Sequence, residues 1–245
     1  MNTEAKSKKL LPSAMAAKYF IDNFSLELLI GKIEPTHKNE ALALIYFNKF
    51  MEVLAVFDRL IRYEKYFKEF FPPEKSDISE PEAIEYHLRS YLQDFYILQE
   101  RVRKIKNSLI NDIQHYNIAN EKDWIKALEH LSNKVHENFK NITSNLRRKH
   151  VHVESVSELG LVTGKTLNFL IKGNIHIPDD IMLDQEKIKQ KYNDTVISMR
   201  NKHIKQSSKN SENLKKMKEW FAVRFIYIFS SLNGHAIKDL DLSNE

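Results

Sequence analysis

Between Ile84 and Leu109 the apolar residues Ile84, Leu88, Leu92, Phe95, Leu98, Val102, Ile105 and Leu109 follow one another at steps of three or four. A helix turns once in about 3.6 residues, so this spacing lines them along one face, whereas a strand would repeat them at every second position. The run predicts one continuous helix whose single stripe packs on a neighbour. A second stripe, Trp124, Leu128, Leu131, Val135, Phe139, Ile142 and Leu146, opens after Glu121 and is the most regular in the chain. Its polar side carries Lys134, His136, Lys140 and Asn145.

Only 5 Gly and 6 Pro occur in 245 residues, which leaves little material for the tight turns of a many-stranded sheet. Those present fall at breaks. Pro12-Ser13 predicts a helix start with Ser13 as N-cap, and a break is expected near Asn23 to Ser25. Pro35-Thr36 precedes a long apolar stretch, with Leu44, Phe47, Met51, Leu54 and Ile61 at helical spacing, which Phe71-Pro72-Pro73 stops. Ser79-Glu80-Pro81-Glu82 has the form of a capping box. The stretch from Glu158 to Lys172 fits a short helix or extended chain equally. A polar helix is expected from Gln185 to Lys205, a flexible linker over Ser207 to Ser211, and a last helix from Asn213 to Leu232 stopped by Asn233-Gly234. The fold class is all-α, a helical bundle of about six or seven helices. One helical domain is expected over 13–235, its core within 79–235, between a disordered tail at 1–12 and another tail at 236–245.

With no cysteine, disulfides, zinc-thiolate sites and thiol nucleophiles are excluded. The most apolar run, Trp220 to Leu232, contains Arg224 and falls short of the roughly 20 residues a membrane span needs. The N-terminal residues lack a targeting pattern, so the expected location is cytoplasmic, away from membranes. The net charge of +5 is modest, but the basic residues gather in Arg101 to Lys106, in Arg147 to Lys149, and from Arg200 through Lys218. A shared phosphate-binding surface would require these clusters to converge.

Gly160-Leu-Val-Thr-Gly164-Lys165-Thr166 looks like a phosphate-binding loop but has one residue too few between its glycines, and no parallel sheet surrounds it. A dinuclear metal bundle needs Glu-x-x-His on two helices plus inward carboxylates, a set the sequence does not supply. His150, His152 and Glu154 would share one side of an extended segment and diverge on a helix, which is the one metal reading here. No cofactor is expected, and no Gly-x-Ser-x-Gly elbow supports a serine hydrolase.

The stretch from Asn145 to Glu154 then concentrates the chemistry, with Arg147, Arg148, Lys149, His150 and His152 where the second stripe runs out. The spacing Arg147-x4-His152 at the end of a helix in an all-helical chain resembles the signature of the HEPN family. That resemblance covers the motif and the helical class. It implies a homodimer in which Arg147 and His152 of both subunits meet in a cleft and cut RNA without metal. It also implies a role in toxin-antitoxin or phage-defence systems, with an antitoxin protein as a partner in the former. Arg148 departs from the small polar residue usual after the motif arginine, which points toward binding without catalysis.

The residue types suit that chemistry by themselves. RNA cleavage by its own 2′-hydroxyl needs a group that moves a proton near neutral pH, as His152 does, and a fixed cation for charge developing on phosphorus, as Arg147 provides. Arg148, Lys149 and His150 would hold flanking phosphates. Five residues on an ideal helix lie about 140° apart, so Arg147 and His152 converge only if the helix ends near Lys149 or His150. The competing function is a non-catalytic helical module in which the same cleft binds nucleic acid or a protein partner; the purely structural alternative is that these cations complement a helix C-terminus and the histidine is a buried core residue.

Overall fold

The computed structural model describes residues 11–73, 76–115, 120–147, 159–172, 184–232 and 234, and at 38–39 and 141–147 it describes backbone alone. Among the described residues the fold is all-α, with seven helices: α1 Pro12–Asn23, α2 Leu26–Leu29, α3 Lys38–Glu69, α4 Glu80–His115, α5 Glu121–Arg147, α6 Leu159–Ile171 and α7 Gln185–Leu232. None of them is long and apolar enough to cross a membrane.

The chain divides into two compact units of helix segments. The first gathers α1, α2, 38–57 of α3, 97–115 of α4, 121–138 of α5 and 214–232 of α7. Its core is aromatic. Phe50 lies against Phe225 with ring centroids 4.8 Å apart and planes 7° from parallel, and Phe20 meets Phe229 at 5.0 Å. Such rings bury large areas and gain further from their mutual geometry. Polar ties rim this core: Tyr46 donates to Asp112, Lys49 donates to the Ser108 hydroxyl at 2.6 Å, and Ser13 donates to Glu219 from both its backbone N–H and its hydroxyl. Ser13 is therefore not the N-cap. Leu11 holds that position without a side-chain bond, Pro12 opens the helix, and the Ser13 hydroxyl is spent on Glu219.

The second unit gathers 58–69 of α3, 80–96 of α4, 139–147 of α5, α6, and 185–213 of α7. Tyr91 packs between Tyr63 at 4.7 Å and Phe95 at 4.8 Å, and Phe95 meets Phe139 of α5 edge-on at 5.2 Å. The expected capping box forms: the Glu82 carboxylate accepts from the Ser79 backbone N–H at 2.7 Å and from its hydroxyl at 2.6 Å.

In α3 the buried face is displaced by one residue from the stripe expected of it. Ala43, Tyr46, Phe50, Val53, Phe57 and Leu60 are buried; of the expected stripe Leu54 is buried, Leu44, Phe47 and Ile61 are only half-buried, and Met51 is exposed. Neighbouring positions are both apolar there, so spacing admits two faces, and the one rich in aromatic rings turns inward.

Ser207 to Ser211 form no linker. They lie inside α7, which runs unbroken over 48 residues. The Ser207 hydroxyl donates back to the His203 carbonyl at 2.7 Å, and the Asn210 amide donates to the Tyr91 hydroxyl at 3.1 Å, so these polar residues are buried and bonded. The stretch that spacing leaves open, from Glu158 to Lys172, is helical over α6.

Candidate functional site

The helix that leads to the Arg-x4-His motif is anchored on its apolar side. Leu128, Leu131, Val135 and Phe139 are fully buried, and Lys134, His136 and Lys140 face outward, as the stripe predicts. Arg147 is the last residue of α5, and its backbone alone is described. Arg148, Lys149, His150, His152 and the metal candidate Glu154 lie outside the described residues.

The other basic clusters resolve into different tasks. Arg101 pairs with Glu52, and Arg103 pairs with Glu100 one turn earlier on its own helix. Arg200, grouped by sequence with the lysines that follow it, is only 8% exposed and does not belong to a solvent face. Its guanidinium donates from Nη1 to the Phe67 carbonyl at 2.8 Å and from Nη2 to Glu80 at 2.8 Å, and it stacks on the Phe71 ring at 3.8 Å. Phe67 sits in the last turn of α3, where carbonyls lack helical partners, and a cation there also complements the helix dipole.

Around that clamp lies a cluster which sequence spacing does not reveal. His87 meets Tyr66, Phe67, Phe70 and Tyr86 at ring-centroid distances between 5.7 and 6.3 Å. Burial and the neighbouring Arg200 charge hold its imidazole below the ordinary value of 6.5, against a hydrogen bond to the Phe70 backbone. Tyr63 donates to Asp94 at 3.1 Å beside the Arg59 guanidinium, and burial, with the Asp94 charge, pushes its phenol strongly upward. The signal for such groups is their tertiary partners, which no local pattern records.

Gly160 to Thr166 cradle no phosphate. They lie within α6, and the two glycines are close-packing positions. A Cβ on Gly160 would stand 2.7 Å from Met199 Cγ, and one on Gly164 would stand 2.9 Å from the Pro81 ring. Lys165 pairs with the buried Glu85, which also accepts from Arg89 at 2.6 Å. Burial pushes the Glu85 carboxyl up, but these two hydrogen bonds outweigh it and hold the group below 4.5. Among the described residues no three His, Asp or Glu side chains gather in a way that would hold a metal ion.

Comparisons with protein-family models, with curated proteins and with solved structures give no match.

Proposed function

We propose that this chain cleaves RNA without a metal ion, in the manner of HEPN proteins, with Arg147 and His152 as its catalytic pair. The observation that carries the reading is the Arg147-x4-His152 spacing, set at the end of the most regular amphipathic helix of an all-α fold. The firm seating of α5 through Phe139 supports it, because a catalytic group needs a rigid base. In the proposed step, His152 takes the proton of an RNA 2′-hydroxyl as that oxygen bonds to the adjacent phosphorus. The bond from phosphorus to the 5′-oxygen breaks, and the departing oxygen takes up a proton from water, which leaves a 2′,3′-cyclic phosphate, a 5′-hydroxyl and a protonated His152 that returns its proton to solvent. Arg147 offsets the charge that builds on the phosphoryl oxygens, and Arg148, Lys149 and His150 hold the neighbouring phosphates.

In this reading the protein works as a cytoplasmic homodimer, each subunit contributing to the cleft, within a toxin or phage-defence system that includes an antitoxin protein where it is a toxin. Arg148 favours a second reading, in which the same groove binds RNA without cutting it. Purified protein in excess chelator, incubated with single-stranded RNA, separates the two. Cleavage that is abolished by Arg147→Ala and by His152→Ala supports the first. Binding without cleavage supports the second, and cleavage that persists in both variants removes this pair from the mechanism.

A further inference from the structure

The outward face of α7 within the second unit is a lysine stripe. Val196, Met199, His203, Ser207 and Asn210 point inward and are buried, which fixes the orientation of this helix. At about 100° per residue, Lys191, Lys202, Lys205 and Lys209 fall within an arc of about 60° on the opposite side. All four are exposed. Between Lys191 and Lys209 the one acidic residue is Asp194, whose carboxylate accepts from the Gln190 amide at 3.0 Å, and no Asp or Glu occurs from Thr195 to Ser211. At the start of the helix Lys187 and Lys189 pair with Asp184 and Glu186. Among the described residues, by contrast, no carboxylate pairs with Lys191, Lys205 or Lys209.

We infer that this stripe is a docking surface for the phosphodiester backbone of single-stranded RNA. The inference rests on the proposed reading only in taking RNA as the partner, and it adds a contact surface away from the Arg147 to His152 segment. Lysine ammonium groups meet phosphates as mobile point charges, which suits a backbone bound irrespective of its sequence. The stripe also lacks what a membrane-surface helix requires. The exposed side chains between the lysines are Asn193, Asp194, Ser198, Asn201 and Gln206, so polar groups and one carboxylate separate the cations, and exposed Ile197 lies about 80° from Lys205 around the helix. Apolar groups beside the cations are what such a helix inserts among lipids, and here that face is turned into the core.

The test measures binding of a fluorescent single-stranded RNA as a function of salt, with chelator and in a His152→Ala background so that cut RNA does not mimic lost affinity. The triple variant Lys191→Gln, Lys205→Gln, Lys209→Gln is compared with Lys122→Gln, Lys126→Gln, Lys134→Gln, which removes equal charge from exposed positions of α5. Removing three phosphate contacts should lower the slope of log K against log salt by about 2 and weaken binding about tenfold or more at low salt, while the α5 variant keeps the parent slope. Lys→Arg at the three α7 positions should restore binding, which rules out a folding defect. Equal behaviour of the two Gln variants overturns the inference, as does binding to phosphatidylserine vesicles in place of RNA, or binding to neither. Failure of the cleavage reading shows separately, as intact RNA in the presence of protein whose His152 is unaltered.

Discussion

The guanidinium of Arg200 donates to the backbone carbonyl of Phe67 at 2.8 Å, closing the last turn of α3 from the side of α7. The same group reaches Glu80 in the first turn of α4, so one buried side chain ties three helices of the second unit together.

Arg200→Ala should therefore destabilise the fold by about 2–3 kcal/mol, because it leaves a buried carbonyl unsatisfied and removes the stack on Phe71. Arg200→Lys should recover less than half of that, since a single ammonium neither spans both acceptors nor stacks on the ring. Urea unfolding of the three proteins measures both differences.

His87 gives the fold a pH dependence of known sign. Burial, helped by Arg200, favours its neutral form, so below the ordinary value of 6.5 the unfolded chain binds more protons than the folded one. Stability is complete above that value and falls as the pH drops below it. Thermal melts from pH 7.5 to 5 should show this loss, and His87→Gln should flatten it. The acid loss below 4.5, to which the depressed Glu82 and Glu85 carboxyls contribute, should persist in that variant.

The α6 glycines make a third test. Gly→Ala in a helix ordinarily gains up to about 1 kcal/mol. At Gly164 the added carbon would stand 2.9 Å from the rigid Pro81 ring and 3.3 Å from Met199, so Gly164→Ala should lower the melting temperature. Thr166→Ala on the exposed face should leave it nearly unchanged.

What the sequence discloses and what it hides follow one physical division. The α4 stripe from Ile84 to Leu109 and the Ser79 to Glu82 capping box are local patterns, and both stand as expected. Leu92 alone of that stripe stays half-exposed. In α3 the spacing is satisfied equally by Phe47 and Met51 or by Tyr46 and Phe50, and only packing against Phe225 and Phe229 decides between them. Ser207 to Ser211 have the composition of a linker because their intrinsic helix propensity is poor. Tyr91, more than a hundred residues away, supplies the partner that makes Asn210 a core residue. Arg200 is hidden among surface lysines for the same reason. The Arg147 to His152 motif is legible as spacing alone, since the convergence of its two side chains depends on backbone beyond α5.

Continuity of α7 through its polar middle has a direct consequence for proteolysis. Lys205 and Lys209 border the stretch that composition marks as a linker, yet both are helical. Brief trypsin treatment of the folded protein should leave these two bonds intact, as read by mass spectrometry of the fragments. Asn210→Ala, which removes the bond to Tyr91, should increase cutting there and cost about 1–2 kcal/mol.

The most direct measurement of the central claim is the end chemistry of single-stranded RNA incubated with excess chelator, with wild-type protein beside His152→Ala. The account predicts fragments ending in 2′,3′-cyclic phosphate and 5′-hydroxyl from the wild type, with the rate reduced about a hundredfold or more in the variant, the scale expected on losing a general acid or base. Equal rates in the two proteins, or cleavage that appears only when a divalent metal is restored, would contradict it.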